Sequence, residues 1–246
     1  MAVDYVLKFP CEVRKNVPEE KLVTLVGYMS LAEFAVAEIR KSNPAVPMET
    51  ILGKYEVHVN QTRPDGTTVQ TPMTVGQLVA QAQSISQYRA QCSPCRANIA
   101  DRPFGCIAKI NYPISKESEQ WLLSRLPNDS NDTNLVTLFR FLSDVKIDGR
   151  PVDTMRERLF ELKEPLVRRW GVWPDQKQVT SSQIIHMLAF GGDIGPQQAA
   201  LYTKLLGLAA VLSEPHPPSS NIEQFKTLMC AIVMSGRLNS AISVDA

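Results

Sequence analysis

The sequence predicts an α+β protein: a small mixed α/β N-terminal half with a β-hairpin and a Cys-rich loop, packed on an all-α C-terminal half. Three observations predict it. "KYEVHVNQTRPDGTTVQTPMTV" (54–75) alternates apolar and polar residues at a period of two, the mark of a hairpin. "QCSPCRANIADRPFGCIAKINYPIS" (91–115) holds three of the five cysteines and reads as neither regular helix nor strand. From residue 128 onward the apolar spacing is helical throughout.

The elements follow in order. "DYVLKFP" reads as a short strand ended by Pro10. Pro18 suits a first helical position, and Glu19 and Glu20 favour the positive end of the helix dipole. Leu22, Leu25, Val26, Met29, Val36 and Ile39 then recur at helical spacing, with Lys41 in the last turn and Pro44 beyond it. In the hairpin, Tyr55, Val57 and Val59 share one face, and Glu56, His58 and Asn60 share the other. Pro64-Asp65-Gly66 forms its turn, and Pro72 belongs at a sheet edge or strand end. Thr74 and Gln77 make a capping box in front of Val75, Leu78, Val79, Ala82 and Ile85. That helix leads straight to Cys92.

After the loop, "AKINYPI" reads as a short strand. Ser115 caps a helix carrying Trp121, Leu122, Leu123 and Leu126. "PNDSNDTN" (127–134) is rich in turn formers, so the chain divides into an α/β region, 1–127, and a helical region, 128–246, as two domains or one continuous one. Asp132 precedes a helix with Leu135, Leu138, Phe139 and Leu142. A longer helix is expected over 152–170, kinked near Pro165. Thr180 and Gln183 form a second capping box. "FGGDIGP" (190–196) lacks the Lys-Ser/Thr ending of a phosphate loop and reads as a turn from which Pro196 starts a helix, with a buried helical stretch at 199–212.

Composition narrows the function. At 246 residues, with 44% hydrophobic and 21% charged, the chain can bury a sizeable core. A formal net charge of +1, without a strongly basic segment, does not favour nucleic acid as a partner. No signal-peptide pattern opens the chain and no uninterrupted apolar run approaches the ~18 residues of a membrane span, so a cytoplasmic protein without membrane contact is expected. The Asn-x-Ser/Thr sequons at Asn60, Asn128 and Asn131 are then chance occurrences among turn formers.

Within the loop, Cys92-Ser-Pro-Cys95 is a C-x-x-C pair, and Cys106 follows. Two thiolates three positions apart can point at one ion. Pro94 stiffens the turn, Gly105 permits a close backbone approach, and Arg96, Arg102 and Lys109 offset thiolate charge. Cys11 is the first candidate for a fourth ligand and His58 the second. The resulting expectation is a metal-binding protein whose zinc site, Cys92, Cys95, Cys106 and Cys11, orders the loop, acting through a protein partner; oligomeric state is left open. An iron–sulfur cluster is the second choice of cofactor. The alternative is a thiol enzyme with Cys106 as nucleophile, His58 or His186 as base and Asn98 supporting an oxyanion.

Other residues have plainer readings. His186, in "SQIIHMLAF", is a satisfied packing histidine; His216 lies in a surface loop; Cys230 is core. In "RERLFELKEPLVRRWGVW" (156–173), arginines interleave with Trp170 and Trp173, but the glutamates dilute the charge. A solvated helix face with a Glu164–Arg168 pair is the better reading than a single-strand-binding platform.

Overall fold

The computed structural model describes residues 2–62, 68–100, 102–129, 132–142, 146–147, 150–151, 156–171, 174, 176–213 and 220–245. The chain opens with β1 (Ala2–Leu7). Next come α1 (Glu12–Asn16), α2 (Glu19–Ser42), α3 (Met48–Lys54), the hairpin β2 (Glu56–Thr62) and β3 (Thr68–Thr74), α4 (Val75–Ser86) and α5 (Arg89–Cys92). The remainder holds β4 (Ile107–Asn111), α6 (Lys116–Ser124), α7 (Thr133–Leu142), the two-residue strands β5 (Lys146–Ile147) and β6 (Arg150–Pro151), α8 (Arg156–Leu159), β7 (Val167–Trp170), β8 (Lys177–Thr180) and α9 (Ser181–Ile185). α9 continues as a π-helical turn, His186–Phe190, and α10 (Pro196–Leu205), a 3₁₀ segment (Leu208–Ser213), α11 (Ser220–Leu238) and β9 (Ile242–Asp245) complete the chain.

The fold is α+β, with small sheets in the first half and mainly helices in the second. The second half also contributes the hairpin β7–β8 and the strand β9. The chain forms two compact units. One is Met1–Phe9 with Cys95–Ala246; the other is the inserted segment Pro10–Pro94.

The larger unit is organised by the antiparallel sheet β4-β1-β9, which places β1 at the centre. Tyr5 lies opposite Ala108 and Val244, and Leu7 lies opposite Ile242. Cross-strand partners share a face, so Tyr5, Leu7, Ala108, Ile110 and Ile242 enter one core cluster with Leu228, Met229 and Ile232 of α11. Two strand segments were legible in the sequence; the strand at 242–245 was not.

The local signals act as physical chemistry requires. Ser115 Oγ accepts the Ser118 amide at 3.2 Å, and Asp132 Oδ1 accepts those of Asn134 and Leu135 at 2.7 and 3.2 Å. Thr180 and Gln183 close a full capping box, as do Thr74 and Gln77 in the inserted unit. Pro196 occupies the first turn of α10. Of the helix expected over 152–170, the described residues form only the short α8. The chain leaves α8 after Leu159 and returns as β7, consistent with Pro165 denying a helical hydrogen bond. Arg168 therefore has no helical partner in Glu164. Its guanidinium donates to the carbonyls of Leu123 and Pro127, at 2.6 and 3.2 Å, and to Asn128 Oδ1 at 2.6 Å. Trp170 Nε1 donates to the same Pro127 carbonyl at 2.9 Å. The Arg-Trp pair thus ties down the chain leaving α6 rather than presenting a solvated face. Pro64-Asp65-Gly66, Asn131, Trp173 and His216 lie outside the described residues.

The most buried ion pair among the described residues is Glu119–Arg156, at 2.8 Å with the two side chains 0% and 1% exposed. One guanidinium nitrogen donates to both carboxylate oxygens of Glu119, at 2.8 and 2.9 Å. Another reaches Ser182 Oγ at 2.6 Å, and the Leu162 carbonyl accepts from two of the nitrogens. Ser181 Oγ donates to the Glu119 carboxylate and accepts the Leu166 amide at 3.1 Å. The guanidinium also stacks over the Phe160 ring, 4.1 Å from its centroid. Removing either charge strands the other in the core. Glu119→Ala and Arg156→Ala are each expected to lower unfolding free energy by about 3–5 kcal/mol, measured by urea denaturation. The double substitution should cost well under the sum of the two, as coupled partners do.

Candidate functional site

The structure redistributes the cysteines. Cys11 caps α1 without a side-chain bond and Cys92 ends α5, both in the inserted unit; Cys95 and Cys106 belong to the larger unit. Cys92 is buried, and Cys11, Cys95, Cys106 and Cys230 are half-buried; none of the five forms a disulfide. Among the described residues, no group of three or more His, Cys, Asp or Glu side chains is placed to hold a metal ion. This overturns the metal-binding function expected of Cys92, Cys95, Cys106 and Cys11, and with it the zinc and iron–sulfur readings.

The physical reason is visible in the loop. Cys95 and Cys106 pack against the core cluster, as does Cys230. The Cys106 carbonyl accepts the Leu7 amide at 2.9 Å, so the β1–β4 ladder sets its position. Phe104, 2% exposed, anchors the loop at a φ of 60°, a left-handed conformation that a non-glycine residue adopts only under tertiary constraint. The turns close through Asn98 N to Cys95 O, Gly105 N to Arg102 O and Ile107 N to Phe104 O, each at 2.9 Å. Gly105 does allow a close approach, but of protein to protein. A Cβ there would collide with Asn98 Oδ1 and lie 3.0 Å from the Arg102 carbonyl. Packing and backbone hydrogen bonds order this loop.

The thiol-enzyme reading fares no better. Asn98 aims its oxygen at the Gly105 backbone, not at an open oxyanion position. His58 stands exposed on β2 opposite Pro72. His58 keeps its expected solvent face: Val57 and Val59 pack inward, though Tyr55 is 39% exposed because it precedes the strand.

His186 departs from the satisfied histidine expected. It is 8% exposed, and its Nδ1 has no hydrogen-bond partner among the described residues. Burial holds its pKa below the ordinary value, so the imidazole stays neutral. Tyr5 Oη is likewise buried without such a partner. Burial pushes this phenol far up, partly offset by the Arg102 charge and reinforced by Cys230.

The candidate site lies instead on α2. Among the described residues it is the one helix long and apolar enough to cross a membrane by length and composition, with a mean hydropathy of 1.6 over an 18-residue window. Glu33 and Glu38 interrupt any continuous apolar run, yet the window average stays high. Only 33% of the window is buried. Ala32 and Ala35 join the core of the inserted unit with Ile51, Val59, Val75 and Leu78, and Tyr28, Leu31, Val36 and Ile39 pack beside them. Leu22, Leu25, Val26 and Met29 are buried as well. What remains exposed includes Gly27, Phe34, Ala37 and Lys41, which share one face at helical spacing with the half-buried Val23 and Ser30, and the polar Thr24, Glu33 and Glu38 to either side. Phe34 at its centre is 63% exposed, the highest among the exposed large apolar side chains described. The sequence showed the buried positions of α2; exposure of Phe34 required the packing partners of every other face.

No family model, curated protein or solved structure matches this chain.

Two outcomes test the local readings. Gly105→Ala should destabilise by about 2 kcal/mol in chemical denaturation, and adding Asn98→Ala should recover part of the loss, since the pair is in contact. For His186 the folded pKa is depressed, so its neutral form favours the fold fully above the unfolded pKa of about 6.5. As pH falls below that value the unfolded state takes up a proton that the folded state refuses, and stability falls. The melting temperature is therefore expected to decline between pH 7 and 5, with a shallower decline in His186→Leu.

Proposed function

We propose that this protein works by docking a protein partner on the outward stripe of α2. The observation that carries the reading is the 63% exposure of Phe34 midway along an apolar helix. A large aromatic side chain in water forfeits about 1.5–3 kcal/mol that burial would return, and it is the residue type that anchors interface centres. An ordinary isolated surface apolar residue would need no explanation; here the exposed neighbours along the face, Gly27 and Ala37, are small, and Glu38 and Lys41 stand charged at its edge.

A bilayer is the rival occupant for so apolar a helix. Two features favour protein. α2 contributes Ala32 and Ala35 to its own unit's core, and Glu33 is held in an ion pair with Arg89 at 3.0 Å. Lipid insertion would dissolve the first and desolvate the second. Five cysteines without a disulfide suit a reducing compartment, so the proposed setting is the cytoplasm.

A photoreactive phenylalanine analogue placed at position 34 of the full chain in living cells tests this. Irradiation should give a discrete protein adduct, absent when the same analogue replaces Glu49 on α3. Lipid adducts alone, or none at either position, would refute the proposal.

A further inference from the structure

Resting on the docking reading above, we infer that the occupant of the α2 stripe is a second copy of this chain, bound antiparallel about a two-fold axis between Ser30 and Leu31. The first indication is Gly27. It sits inside a long helix, where glycine costs about 0.5–1 kcal/mol relative to alanine. Its φ is not positive, and a Cβ built there meets nothing within 4 Å. Among the described residues nothing therefore requires the missing side chain. A surface that must come close from outside does.

The second indication is what lies one stripe interval away. Phe34 stands two turns beyond Gly27 on the same face, protruding where Gly27 is recessed. In an antiparallel pair centred between Ser30 and Leu31, position 34 of each copy lies opposite position 27 of the other. Each aromatic knob then fills the other's gap, twice by symmetry, as an isologous interface demands. A parallel pairing would instead set Phe34 against Phe34 and Gly27 against Gly27.

The third indication is charge. The same axis places exposed Glu20 opposite exposed Lys41 at both ends of the pair. Within its own helix Lys41 makes a long, exposed ion pair with Glu38 at 3.8 Å, a weak contact that a carboxylate from a second copy can share. Glu20 opens α2 and Lys41 closes it, so antiparallel alignment also opposes the helix dipoles favourably. The acidic-to-basic polarity of the helix thus suits a reversed copy of itself. One helix pair is a small interface, and dissociation constants of about 1–100 micromolar are expected.

Sedimentation equilibrium of the purified full chain over about 1–200 micromolar tests this, and should show reversible dimerisation in that range. Phe34→Glu should weaken it at least about thirtyfold, as loss of a central anchor does. Gly27→Leu should leave the melting temperature equal or higher while abolishing the dimer, which separates association from folding. Glu20→Lys and Lys41→Glu should each weaken self-association several-fold, and an equimolar mixture of the two should associate more tightly than either alone. A wild-type chain that stays monomeric, or a dimer indifferent to Phe34→Glu and Gly27→Leu, overturns the inference. A monomeric chain whose position-34 analogue still captures a different protein overturns the second copy while leaving the docking surface intact; absence of any protein adduct overturns both.

Discussion

A fully buried carboxylate–guanidinium pair holds together several segments of the larger unit. Glu119 and Arg156 lie on α6 and α8, and every strong hydrogen bond they make ties in a further segment: Ser181 and Ser182 from α9, and the Leu162 carbonyl from the stretch before β7. Such a pair is weak evidence of net stabilisation, because desolvating two ions costs about as much as their attraction returns. Its effect is on alternatives. Any packing of α6, α8 and α9 that separates these groups leaves a bare charge in hydrocarbon, so the arrangement is selected by the cost of its competitors.

The cysteine loop shows how a spacing rule can be satisfied without its chemistry. A C-x-x-C pair followed by a third cysteine is compatible with a metal knuckle, and the glycine before Cys106 strengthens that impression. What decides is where neighbouring backbone must go. Cys106 is the residue through which the loop joins the β1–β4 ladder, and its carbonyl is committed to Leu7. Gly105 has no side chain because Asn98 occupies that space. Phe104 supplies the buried anchor. The same small and polar residues that would shape a metal site here shape a tight turn against a hydrocarbon core.

α2 carries the opposite lesson. Its sequence reads as an ordinary amphipathic core helix, and two of its flanks are buried as that reading requires. Helices with apolar residues on nearly every side normally disappear into an interior. This one does not: α3, α4 and the hairpin share a core with Ala32 and Ala35, and Arg89 of α5 pairs with Glu33, while Phe34 stays exposed. A stripe left uncovered by its own fold, with an aromatic residue at its centre and charges of opposite sign at its ends, has the composition of a contact surface.

What the sequence by itself determined was local: the capping residues Thr74, Ser115, Asp132 and Thr180, the Pro196 helix start, the alternation of the hairpin and the buried positions of α2. Each follows from hydrogen bonds or side-chain periodicity within a few residues, so no distant partner is needed. Only the tertiary structure decided the strand status of 242–245, the extended course of Arg168 and Trp170, the inward turn of the cysteines and the exposure of Phe34. Those outcomes depend on which segments, far apart in the chain, compete for the same backbone partners and the same buried volume, and that competition has no signature at short range.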